Sequence, residues 1–236
     1  MSPIADSRAQ VLGRIRAAMR NSAASAEQAG EAHAELHRGY VRQGAMTAKA
    51  RQERFVERLR EYDAEVVECG PEEVAATIAA QVRASGRQRF VAPEGLPVEW
   101  FAEGFDWKID HGLAASEVEQ CEGVVTACFC GVAESGTIVL HHSATEGRRV
   151  ITLLPDWHLC VVRASQIVET LPEYFARCAK RDQRTENRDQ GAERLPELVT
   201  WISGPSATAD IEMTRIKGVH GPRFLNVILV KDCDRS

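Results

Sequence analysis

Residues 64–92, AEVVECGPEEVAATIAAQVRASGRQRFVA, change their period twice. Ala64 to Cys69 is a short β-branched run suited to a strand. Gly70-Pro71-Glu72-Glu73 then opens a helix, with proline suited to its first turn and two carboxylates near the positive end of its dipole. Val74, Ile78 and Val82 recur at helical spacing, Ser85-Gly86 ends the pattern, and Arg89-Phe90-Val91-Ala92 starts a second strand. Strand, helix and strand in this order make a β-α-β unit. The fold class expected is therefore α/β, with a mainly parallel central sheet and helices on both faces.

Upstream of this unit, Phe55, Val56, Leu59 and Tyr62 form the apolar stripe of a helix that ends near Asp63. Further back, Ile4, Val11, Leu12, Ile15 and Met19 alternate with arginines as in an amphipathic helix, and residues 21–44 follow with little apolar periodicity. Two segments are expected: 1–44, an N-terminal helix and tether, and 45–236, the α/β domain.

Downstream, residues 93–106 read as a loop with room for a short helix, and Trp107-Lys108-Ile109 as a brief strand. Val124 to Val132 is a long apolar tract, and Ile138 to His141, Val150 to Leu154, His158 to Val162, Leu198 to Ile202 and Phe224 to Val230 read as strands. The last is almost unbroken in its apolarity, as in a strand buried on both faces. A helix is expected from Ser165 to Lys180, with Ile167, Val168, Leu171, Phe175 and Cys178 inward. Pro172 either kinks it or separates its first turn, leaving Thr170 to cap the main helix.

The chemistry concentrates between the last two strands. Ser203-Gly204-Pro205-Ser206, Thr208, Asp210 and Glu212, with Gly218-Val219-His220-Gly221-Pro222, combine stiffened turns, hydroxyls, carboxylates and a histidine. Backbone N–H groups beside hydroxyls in such turns can hold a carboxylate or phosphate, although the same residue types also simply make turns. Glu134-Ser135-Gly136-Thr137 is a second cluster. Glu134 is either a carboxylate set in a cleft, where burial would raise its pKa, or a turn residue open to water. Arg149, after the Gly147 turn, can pair bidentately with a carboxylate or phosphate, although an arginine beside a strand is more often a solvated surface charge. The site residues expected are Glu134 and His220 as catalytic groups, with Ser135, Gly136, Thr137, Arg149, Gly204, Ser206, Thr208 and Asp210 binding substrate. All depend on the bends at 134–137, 204–210 and 218–222 converging on one hollow.

Composition narrows the functions. The chain has 236 residues, 44% of them hydrophobic and 27% charged, with a net charge of −5, and shows no basic face for phosphate backbones. No run approaches the ~18 apolar residues of a membrane span, and no apolar signal core follows Met1, so a cytoplasmic protein is expected. The seven cysteines lack the spacing of an iron–sulfur or structural zinc site, and the histidines lack metal-ligand spacing, so no metal is assigned.

Ala133-Glu134-Ser135-Gly136-Thr137-Ile138-Val139-Leu140, Leu153-Leu154-Pro155 with His158, Ile202-Ser203-Gly204-Pro205-Ser206 with Thr208-Ala209-Asp210-Ile211-Glu212, and Gly218-Val219-His220-Gly221-Pro222 together resemble the lactate-utilisation protein C family, the LUD-domain proteins. Ser135 stands where the family pattern has threonine, which preserves a hydroxyl. The resemblance implies a fold similar to ribose-5-phosphate isomerase, glucosamine-6-phosphate deaminase and the CoA transferases. It also implies an accessory or substrate-binding role beside two iron–sulfur lactate-utilisation proteins that oxidise L-lactate to pyruvate. No cofactor is then expected in this chain, with iron–sulfur clusters in the partners and a small carboxylate as ligand. Two other readings remain: an independent enzyme of the CoA-transferase or phosphosugar-isomerase kind using Glu134, and a regulatory protein that senses a metabolite.

Overall fold

The structure, a computed structural model, describes residues 3–21, 39–182, 198–208, 216–218 and 221–232. The chain divides into two compact units, Met1–Val41 and Arg42–Ser236. In the first, helix α1 (Pro3–Asn21) forms where the apolar spacing predicted one.

The second unit is built on a six-stranded sheet, β1 (Glu65–Cys69), β12 (Phe224–Val230), β7 (Trp157–Arg163), β4 (Gly123–Thr126), β2 (Arg89–Pro93) and β3 (Asp106–Asp110), in that order. Every neighbouring pair in it is parallel. The two strands of the opening β-α-β unit, β1 and β2, are not neighbours, because β12, β7 and β4 lie between them. The near-continuous apolar runs of β7 and β12 suit the centre, where both faces are covered.

Side-chain alternation divides these two strands between two cores. Cys160 and Val162 of β7, with Leu225, Val227 and Leu229 of β12, meet Phe55, Val56 and Leu59 of α2 (Ala48–Glu61). Leu159 and Val161, with Ile228 and Val230, meet Val74, Ile78 and Val82 of α3 (Val74–Ala84) on the opposite face. Helices thus cover both faces, as the class requires. Thr47 starts α2 by accepting a hydrogen bond from Ala50 N (3.2 Å), and Glu73 closes the turn before α3 by accepting from Gly70 N (2.8 Å).

The α2 face is also covered by a second sheet, ordered β8 (Ile167–Val168), β5 (Cys130–Val132), β6 (Thr137–Leu140) and β9 (Thr200–Ile202). The apolar tract 124–132 is therefore two strands in two sheets. Residues 150–154 are not a strand: Arg149–Thr152 is a 3-10 turn, with Ile151 buried against Val91 and Val124 and the short helix α4 (Ala115–Glu119) alongside. The helix expected over 165–180 begins later, as α5 (Leu171–Asp182), preceded by a 3-10 turn and β8. Tyr174 and Cys178 face inward while Phe175 is exposed. Thr170 does not cap α5. Among the described residues its hydroxyl has no partner, and the Glu173 carboxylate accepts from Glu169 N at the start of the helix instead. No described helix is long and apolar enough to cross a membrane.

Candidate functional site

His158 and Leu225 are the second residues of β7 and β12, are register partners, and floor a cavity of about 160 Å³. Arg149 and Thr152 of the 3-10 turn line one part of it. Strand β9 and the bend after it, residues 200–206, line another, and Gly221-Pro222 enters ahead of β12. The hollow lies toward the amino ends of β7 and β12, whereas open parallel sheets usually bind ligands beyond their carboxyl ends.

Hydrogen bonds tie the bends together. Ser206 N donates to Pro222 O (2.8 Å), and Gly218 N donates to Ser206 O (2.9 Å). From the other cluster, the hydroxyls of Ser135 and Thr137 lie 2.7 Å apart, and Thr137 Oγ1 lies 2.7 Å from Ser203 Oγ on the cavity wall. Both bends press on the end of α2. Gly136 (φ +63°) faces Arg58, and a Cβ on Gly204 (φ +94°) would fall 2.6 Å from the Cβ of Tyr62. Only glycine meets the Gly204 requirement without strain.

Among the described residues, two side chains stand out for the electrostatics. His158 is 1% exposed, and its Nε2 lies 2.8 Å from Thr126 Oγ1, itself fully buried. Burial pushes the imidazole pKa down to about 4, and the nearby Arg149 guanidinium acts in the same direction. The ring is neutral at physiological pH. Among the described residues the Arg149 side chain forms neither a hydrogen bond nor an ion pair, although it lines the cavity. A neutral imidazole and a guanidinium without a partner among the described residues, in one small hollow, favour an anionic ligand with a further acceptor atom.

Of the expected site residues, Arg149, Gly204 and Ser206 line this cavity. Thr137 reaches its wall through Ser203, with Ser135 and Gly136 behind it. Glu134 does not line it. Its side chain is exposed, because Glu134 N is held by Glu169 O at the outer turn between β5 and β6. The cleft carboxylate considered for Glu134 is thus replaced by the solvent-open alternative. Thr208 lies in the two-stranded ribbon of β10 (Ala207–Thr208) and β11 (Ile216–Lys217). Asp210 and His220 lie outside the described residues. Sequence reading assigned no site role to His158, Thr152 or Thr126. The available signal was the imidazole itself, a polar group inside a strand whose other residues are those of a buried core.

Comparison with known proteins gives a consistent result. The model of the LUD domain matches residues 52–230. A lactate utilization protein C from Deinococcus radiodurans is 37% identical over 177 residues, covering 75% of this chain and 77% of its own. A lactate utilization protein C from Bacillus subtilis is 36% identical over 58% of this chain and 55% of its own. Among solved structures, a DUF162 family protein from Deinococcus radiodurans superposes with a TM-score of 0.62 at 30% identity, over 79% of this chain and 99% of the other.

Proposed function

Because the chain belongs to the LUD-domain family, we propose that it works in lactate utilisation as the subunit that holds a small carboxylate during oxidation of L-lactate to pyruvate. The observation that carries this reading is Arg149, a guanidinium without a described partner, lining a cavity floored by the neutral His158. A cavity of about 160 Å³ suits a ligand of a few heavy atoms and is small beside the ~300–1,000 Å³ of drug-sized pockets. The guanidinium supplies charge and orientation for the carboxylate. Electrons leaving lactate pass, in this reading, to two iron–sulfur partner proteins.

A nucleophilic role for Glu134 in this cavity lacks support, since the exposed carboxylate lies outside the lining. The test is reconstitution. Tagged chain drawn from lactate-grown cells is expected to bring down iron-containing proteins, and the mixture to reduce a dye with L-lactate only when all components are present. Arg149→Ala is expected to lower that rate while still co-purifying the partners. Full activity in Arg149→Ala would sink the reading.

A further inference from the structure

The strands that floor the first hollow also floor a second, on the opposite face of the sheet. Trp157 and Phe224 open β7 and β12, are register partners, and stand one residue before His158 and Leu225, so alternation turns them to the α3 side. With Asn226, Glu65 at the start of β1, Gln81 of α3 and Arg87 between α3 and β2, they line a cavity of about 190 Å³.

One wall of this cavity is an ordered carboxylate. Asn226 is 7% exposed within the otherwise apolar β12, and its Nδ2 donates to Glu65 Oε2 (2.8 Å) and Gln81 Oε1 (3.1 Å). A buried amide needs such partners, and because an ionised carboxylate can only accept, Glu65 fixes which way the amide points. Glu65 is the register partner of Asn226 on β1, so the same contact holds the carboxylate in place while leaving it capacity for further donors. The other wall is cationic. The Arg87 guanidinium lies over the rings of Trp157 (5.9 Å) and Phe224 (5.0 Å), and donates to Asp156 Oδ2 (3.3 Å) and Ser85 O (3.1 Å), which leaves it further N–H groups for a ligand. Asp156 also pairs with Arg223, so these two arginines offset Asp156 and Glu65. The hollow therefore favours no net charge but a dipole, negative at β1 and positive over β12 and β7.

The spacing suits one chemical class. Neighbouring strands lie ~4.8 Å apart, so a group above β12 and β7 stands roughly 5–10 Å from one on β1. An ammonium and a carboxylate carried by the same carbon, each making a charge-assisted hydrogen bond of about 2.8 Å, bridge such a gap. We infer that this second hollow binds a small α-amino acid, with its ammonium on Glu65 and its carboxylate on Arg87. The size admits only a few heavy atoms, and the half-exposed Phe224 gives a short side chain an apolar surface. The site is separate from the one proposed for lactate, and either can fail alone.

Calorimetric titration of the full chain with L-alanine tests this assignment. Saturable binding is expected, with N-acetyl-L-alanine and L-alanine amide, each lacking one of the two charges, binding about tenfold to a hundredfold more weakly. Glu65→Gln still offers Asn226 an acceptor and is expected to weaken L-alanine by a similar factor, whereas Arg149→Ala, in the other hollow, is expected to leave it within about twofold. No saturable binding of L-alanine, or undiminished binding in Glu65→Gln, would overturn the inference. Loss of L-alanine binding in Arg149→Ala would assign the amino acid to the first hollow and overturn it equally.

Discussion

His158 links site chemistry to stability. Its folded pKa of about 4 lies below the ordinary 6.5. Between those values the unfolded chain binds a proton that the native chain excludes, so stability falls as the pH falls through that window and is fully present above pH 6.5. The loss by pH 5 is about 2 kcal/mol, and the slope should flatten in His158→Gln, as read from urea midpoints at pH 7 and pH 5. Asp110 acts in a lower window. Hydrogen bonds from Arg148, including Nε to Oδ2 at 2.8 Å, hold its carboxyl below the usual range despite its burial, so its contribution is lost only as the pH drops below about 4. Asp110→Asn should destabilise by about 1–3 kcal/mol at pH 7, measured by urea denaturation, because Arg148 loses a charged, bidentate partner. At His158 the sequence reading stopped short. One imidazole in an apolar strand leaves periodicity intact, and what sets it apart is Thr126 on the neighbouring strand, a relation that spans 32 residues.

The elements show which signals were local. The switch from β-branched run to helical stripe over 64–92 was enough for β1, α3 and β2, since each obeys its own period. The run 150–154 carries an equally good strand pattern and forms a 3-10 turn instead. Its apolar side chains are buried against Val91 and Val124, and the sheet positions beside β7 are taken by β4 and β12. Strand order depends on such competition, so β1 and β2 could be read as parallel but not as separated. The bends at 135–137 and 203–206 were legible as glycine turns, but their meeting place on the end of α2 was not. Gly204→Ala tests that packing: with φ at +94° and a Cβ 2.6 Å from Tyr62, it should lose about 1–3 kcal/mol in a thermal or urea unfolding experiment. Unchanged stability would mean that this bend does not rest on Tyr62.

Taken together, the parallel sheet, the second sheet hung over its α2 face and the bend before β12 enclose a small hollow, and Arg149 is the charged side chain of its described lining. The fold could be anticipated because the buried strands announce themselves by composition. The hollow could be anticipated only in part, because it depends on one edge strand, β9, lying over the amino ends of β7 and β12. Isothermal titration of the full chain and of Arg149→Ala with L-lactate and pyruvate tests the central claim most directly. Saturable binding is expected in the unaltered chain, weakened about tenfold to a hundredfold in Arg149→Ala with no matching loss of stability. Undiminished binding in Arg149→Ala, or no heat of binding for either acid in the unaltered chain, would contradict it.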